Sequence, residues 1–89
     1  MAKYRVVLSK RAFKFLDGLD SKTRQLVIAD LDGLANYPFL DKSLDIVRLE
    51  GQKGYFRLRT GKIRTVYTID KDAETVLVRK IAYREAAYE

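Results

Sequence analysis

Four basic side chains crowd the short stretch YFRLRTGKIRTVY, which covers residues 55–67. They are Arg57, Arg59, Lys62 and Arg64, and no Asp or Glu occurs between residues 53 and 69. An arginine guanidinium stays ionised at physiological pH and can bind two phosphate oxygens at once. The stretch therefore predicts a surface that binds an anion, with phosphate as the best match. The alternative is a solvated sheet face whose charges serve only solubility.

The same stretch predicts a β-hairpin, because two strand-like runs flank a Thr-Gly pair at residues 60–61. A two-residue turn there places Arg59 opposite Lys62 and Arg57 opposite Arg64, whereas a three-residue bulged turn would shift this register. Like charges directly opposite each other destabilise a strand pair, and a phosphate bound between them would reverse the effect. Alternation gives one apolar face, formed by Phe56, Leu58, Ile63, Tyr67 and Ile69, and one basic face, formed by Tyr55, Arg57, Arg59, Lys62 and Arg64.

Further polar candidates lie near the C-terminus. Lys80 and Arg84 are an even number of residues apart in a predicted strand region, so an extended chain directs both to one face. Tyr88 follows in a short tail, where it is either a phenol that takes part in catalysis or a frayed aromatic end.

Composition limits the chemistry that is available. The 89 residues fit one domain, spanning residues 1–89, and contain no Cys and no His. Thiolate catalysis and Cys zinc sites are thereby excluded, and proton transfer has to use Tyr, Lys, Asp or Glu. The net charge is +6, with the basic excess in the C-terminal half, which favours an anionic partner. No apolar run is long enough to span a bilayer, and a cytoplasmic location fits.

The elements that must position these residues are short. A β-branched strand near residues 4–8 precedes two amphipathic helices, the first capped by Ser9 and the second by Asp20 or Ser21. A strand can begin at residues 46–49, the basic hairpin follows, and residues 75–82 form the last strand. The predicted order is β-α-α-β-β-β, an α+β fold with a helical hairpin on one face of an antiparallel sheet.

The segments LEGQKGYFRLRTGKIRTVYTID and AYREAAY resemble the RelE/ParE superfamily of toxins from toxin–antitoxin systems, and in particular its archaeal RelE-like branch. The resemblance covers nearly the whole chain in element order and length. It implies a four-stranded, mainly antiparallel sheet with a helical hairpin against it. It also implies ribosome-dependent cleavage of messenger RNA in the A site, and neutralisation by a RelB-like antitoxin.

The resemblance also implies roles for individual residues. Arg57, Arg64, Arg84 and Tyr88 match catalytic positions of the family, while Tyr55, Arg59, Lys62 and Lys80 are expected to bind RNA. The implied reaction is attack of the 2′-hydroxyl on the neighbouring phosphate without a metal ion or cofactor. The arginines would stabilise the phosphorane and the leaving oxygen, and Tyr88 or Glu50 would be the base. The expected partners are the antitoxin and the ribosome with its messenger and ribosomal RNA.

Two other functions are possible for this fold. A ParE-like toxin binds DNA gyrase and generally lacks the full set of basic residues and tyrosine, so this set favours RelE-type activity. An inactive relative would serve only to bind an antitoxin or RNA.

Overall fold

The computed structural model describes residues 3–36 and 43–84. In chain order these residues form strand β1 (Arg5–Leu8), helices α1 (Lys10–Asp17) and α2 (Ser21–Asn36), and strands β2 (Asp45–Arg48), β3 (Tyr55–Thr60), β4 (Ile63–Asp70) and β5 (Thr75–Tyr83). The strands form one sheet in the order β1-β5-β4-β3-β2. Only the pair of β1 with β5 is parallel among these strands. The predicted α+β class is therefore confirmed, and so is the position of both helices between the first strand and the later ones.

The predicted number of strands is wrong by one. Within the described residues the sheet has five strands, because Asp45–Arg48 pairs with β3 as an edge strand. Ile46 is the buried residue of β2, and the other three side chains of that strand are exposed. One inward side chain gives too weak an alternation to distinguish a strand from a loop in the sequence.

Polar caps begin both helices. Ser9 Oγ accepts a hydrogen bond from the Ala12 amide at 3.2 Å, as expected for the cap of α1. Asp20, rather than Ser21, caps α2, because its Oδ2 accepts from the Thr23 amide at 3.1 Å. The hydrogen bonds with Thr23 lower the pKa of the Asp20 carboxyl. No helix in the described part of the chain is long and apolar enough to cross a membrane.

The helices cover one face of the sheet and leave the other open. Side chains that alternate along the strands meet the helices in one apolar core, whose largest fully buried members include Tyr67, Leu34 and Leu58. Tyr67 stacks on Phe56 with the ring centroids 5.5 Å apart. The open face consequently carries the residues that alternate with this core, among them Arg57 and Arg64.

The hairpin register differs from the predicted one. The turn consists of Gly61 and Lys62, so Thr60 pairs with Ile63, Arg59 with Arg64, and Arg57 with Val66. Gly61 has a φ of +58° and Lys62 does not have a positive φ, which matches a turn that favours glycine at its first central position. Moving the turn by one residue moves each cross-strand partner by two, and a two-residue shift leaves every side chain on its face. The predicted faces are therefore confirmed for the strand residues, although the predicted opposite pairs are wrong.

Candidate active site

A cleft of about 760 Å³ opens on the uncovered face of the sheet. Five cationic side chains line it: Arg11, Arg57, Arg64, Arg79 and Lys80. We call it the cationic cleft. Glu50 is the one carboxylate among the described residues that line it, and Ser9, Gln52 and Tyr55 supply further polar groups. Such an excess of positive charge in a concave surface concentrates anions.

Arg64 has the most restricted environment of these cations. Its side chain comes from the middle of the sheet, and the residue is only 6% exposed. Burial lowers the pKa of its guanidinium, and the charges of Arg57, Arg84 and Arg59 lower that pKa further. An arginine nevertheless stays protonated at neutral pH, so the fold holds a crowded positive charge here. A bound anion would offset both the desolvation and the repulsion.

Asp45 organises the cations of β3. Its Oδ1 accepts a hydrogen bond from Arg57 Nη2 at 2.9 Å, and its Oδ2 lies 3.0 Å from Arg59 Nε. The hairpin itself contains no acidic partner for these cations, and the sequence does not indicate that Asp45 of the neighbouring strand β2 reaches them. Asp45 is directly paired with Arg59 in the sheet. A single carboxylate thus fixes two guanidiniums at the edge of the cationic cleft.

Arg11 and Arg79 were also missed. The β4–β5 ladder shifts register between Val66 and Tyr67, since Val66 pairs with Lys80 and Tyr67 pairs with Val78. This bulge lets both Arg79 and Lys80 line the cationic cleft, against the alternation of a regular strand. Arg79 Nε donates to Thr68 Oγ1 at 3.2 Å.

The same bulge anchors the start of α1. The carbonyl of Arg79 accepts hydrogen bonds from Arg11 Nε at 3.2 Å and from Ser9 Oγ at 2.9 Å. Arg11 lies one residue into α1 and is thereby held against the middle of β5. No feature of the sequence marks a bulge at this point, and helical spacing alone gave Arg11 no role.

Some of the other predicted site residues line the cationic cleft, and others lie outside it. Tyr55 and Lys80 line the cationic cleft, whereas Lys62 lies in the exposed hairpin turn. The backbone amide of Arg84 donates to the carbonyl of Lys62 at 2.7 Å, which brings the end of β5 to the hairpin tip. The charge of Arg84 acts on Arg64 there. Tyr88, the predicted catalytic tyrosine, lies outside the described residues.

Comparison with known proteins identifies the family. A family model for the ParE toxin of the type II toxin–antitoxin system parDE matches residues 6–88. The chain is 33% identical over 86 residues to RelE1 of Methanocaldococcus jannaschii, a protein named as a toxin, and the match covers 97% of this chain and 96% of that one.

Solved structures agree with this result. The archaeal RelE–RelB complex from Pyrococcus horikoshii OT3 contains a chain that matches with a TM-score of 0.81 at 25% identity, covering 96% of this chain and 99% of that chain. A chain of the RelBE2 toxin–antitoxin complex from Mycobacterium tuberculosis matches with a TM-score of 0.74 at 27% identity, covering 94% of each. The resemblance found in the sequence is thus confirmed. The chain belongs to the ParE toxin family of type II toxin–antitoxin systems and is similar to RelE toxins.

Proposed function

We propose that the protein is a ribosome-dependent endoribonuclease that cleaves messenger RNA in the A site and so inhibits translation. The observation that carries the proposal is the position of Arg64, nearly buried in the sheet with Arg57, Arg59 and Arg84 close enough to lower its pKa. Such a cluster suits a substrate whose charge increases during the reaction, as that of a phosphodiester does when it becomes a phosphorane.

In the proposed reaction the RNA 2′-oxygen attacks the adjacent phosphorus as a base takes its proton. The P–O5′ bond breaks, giving a 2′,3′-cyclic phosphate on one fragment and, after proton transfer, a 5′-hydroxyl on the other. Arg57 and Arg64 stabilise the phosphorane through its non-bridging oxygens. Arg84, at the end of β5, neutralises the departing 5′-oxygen.

Two groups are candidates for the base. Glu50 lines the cationic cleft, where a carboxylate can accept the proton of the 2′-hydroxyl. Tyr88 is the candidate that the family resemblance supplies. Glu50→Gln and Tyr88→Phe distinguish the two, since only loss of the base should lower the cleavage rate by about 100-fold or more. Both bases are weak, which fits an enzyme that depends on the ribosome to orient its substrate.

A RelB-like antitoxin and the ribosome, in the cytoplasm, are the proposed partners. Support for the antitoxin comes from the RelE–RelB complexes of similar fold. The helices offer apolar surface for an amphipathic segment, since Phe13 is 58% and Leu26 56% exposed. The cationic cleft would attract an acidic one, and an antitoxin that covers it would block the approach of RNA.

The decisive experiment is primer extension on messenger RNA in a translating extract. It compares the native protein with Arg64→Ala and with Arg5→Ala. Arg5 is an exposed arginine that begins β1 and does not line the cationic cleft. We expect ribosome-dependent cuts at A-site codons with the native protein and Arg5→Ala, and none with Arg64→Ala. Intact message in all reactions would contradict the proposal. Inhibition of gyrase supercoiling by the same protein would then assign it the ParE-type activity.

A further inference from the structure

A second cleft, of about 510 Å³, lies at the end of the sheet where β3 begins and β4 ends. Its cations are Arg48, Lys53 and Lys71, and its apolar lining includes Phe56 and Ile69. No acidic residue lines it among the described part of the chain. Arg48 and Lys53 are exposed, so their charges face solvent. A surface that pairs cations with aromatic and aliphatic groups suits a nucleotide, which has an anionic phosphate and a planar base.

The second cleft adjoins the cationic cleft. Leu49, Gln52 and Tyr55 line both, so the loop after β2 and the first residue of β3 form a shared wall. Hydrogen bonds fix this wall: the Leu49 amide donates to the Tyr55 carbonyl at 3.0 Å, and the Tyr55 amide donates to the Gln52 carbonyl at 3.1 Å. Phe56 and Ile69 of the second cleft belong to the apolar face of the hairpin, so a chain that leaves the cationic cleft past Tyr55 enters the second cleft by turning around the end of the sheet.

We propose that the second cleft binds a nucleotide that flanks the cleaved bond, so that single-stranded RNA runs from the cationic cleft past Tyr55 to Arg48 and Lys53. Tyr55 supplies a ring for base stacking at the crossing, and the two cations hold the next phosphate. This inference rests on the proposed nuclease function and adds a binding site beside the reacting groups. An acidic protein segment would also be attracted by these cations, but the continuity of the second cleft with a cleft suited to phosphodiester favours RNA.

The test is binding of single-stranded RNA without ribosomes or cleavage. The probes are 2′-O-methylated oligouridylates, which lack the attacking hydroxyl: a dinucleotide that fills one cleft and a hexanucleotide that spans both. The variant is the double substitution Arg48→Gln with Lys53→Gln. Its matched control is Lys14→Gln with Lys22→Gln, which removes two exposed charges from the helices; neither lysine lines either cleft. Fluorescence anisotropy gives the dissociation constants as a function of salt.

We expect the double variant to bind the hexanucleotide roughly tenfold more weakly or worse at about 0.1 M salt, and to reduce the salt slope by about 0.7, because the contact to one phosphate is lost. Binding of the dinucleotide and the behaviour of the control should stay close to native. Tyr55→Ala should weaken the hexanucleotide further, while Tyr55→Phe retains the stacking ring and native affinity.

Three outcomes would overturn the inference. They are equal loss in the variant and its control, absence of hexanucleotide binding by the native protein, and unchanged RNA binding with weakened binding of an acidic antitoxin peptide. Because no cleavage is measured, these results are independent of the primer-extension result. A native protein that binds the hexanucleotide through Arg48 and Lys53 but leaves messenger RNA intact would contradict the nuclease proposal alone.

Discussion

Asp45 Oδ1 lies 2.9 Å from Arg57 Nη2, which ties the edge strand β2 to the cationic cleft. The Arg57 side chain is 12% exposed and that of Asp45 is 44% exposed, so the guanidinium is largely enclosed while its partner faces water. The carboxylate lowers the net positive charge near the cleft and at the same time restricts the orientation of Arg57. The lowered positive charge weakens RNA binding, whereas the restricted orientation of Arg57 favours catalysis.

Replacing Asp45 by Asn should separate these effects. The net charge rises by one, so we expect tighter binding of single-stranded RNA and a salt slope steeper by about 0.7. Arg57 loses the partner that fixes its guanidinium, and we expect ribosome-dependent cleavage at saturation to fall by roughly 10- to 100-fold. Anisotropy with uncleavable RNA and single-turnover cleavage measure the two quantities.

Asp32→Asn is the matched control, because Asp32 is an exposed carboxylate on α2. It should leave the cleavage rate unchanged. Stability should change by less than about 1 kcal/mol in Asp45→Asn, since one partner of the ion pair is well exposed. Weaker RNA binding by Asp45→Asn would show that Asp45 does not compete with phosphate for Arg57.

The sequence predicts which residues share a face of the hairpin, but it does not predict the contacts between distant segments. Alternation in β3 and β4 identified Arg57 and Arg64 as members of one open face, and this survived a wrong turn position because the error was an even number of residues. Asp45 is separated from Arg57 by a loop, and its role depends on a short edge strand with a single buried residue. The bulge that directs Arg79 into the cleft depends on the β4–β5 register, which local residue preferences do not determine.

The Arg64 guanidinium should be required for activity although it lowers the stability of the fold. We expect Arg64→Met, which retains much of the side-chain volume, to abolish cleavage and leave the free energy of unfolding unchanged or higher. The physical reason is that the native guanidinium is desolvated next to three other cations, and the methionine removes that charge. Urea denaturation and primer extension together test this. A marked loss of stability in Arg64→Met would assign the guanidinium a structural role.

The stability of the hairpin turn should depend on Gly61. Its φ of +58° disfavours a side chain, and a Cβ at this position would meet no atom within 4 Å. We therefore expect Gly61→Ala to lower the free energy of unfolding by about 1–2 kcal/mol through backbone strain alone. Gly61→Asn should cost less, because Asn tolerates this conformation better.

Gly18 provides the control for that measurement. It follows α1 with a φ of −83°, which any residue adopts, and a Cβ there would make only an ordinary contact at 3.5 Å. Gly18→Ala should leave stability equal or slightly higher, because it restricts the unfolded chain. Equal losses for Gly61→Ala and Gly18→Ala would rule out strain at the turn as the cause.

Tyr67 should make the protein sensitive to alkali. It is fully buried against Phe56, and burial raises the pKa of its phenol well above the ordinary value of 10.0. Above about pH 10 the unfolded chain can lose this proton while the folded chain retains it, so ionisation favours unfolding as the pH rises. The stability that Tyr67 contributes is thus complete below that pH and is lost above it.

We expect the free energy of unfolding to fall less steeply with pH in Tyr67→Phe than in the native protein, measured by urea denaturation at intervals from neutral pH to above pH 10. Parallel pH profiles for the two proteins would mean that the Tyr67 phenol ionises equally readily in the folded and unfolded chains.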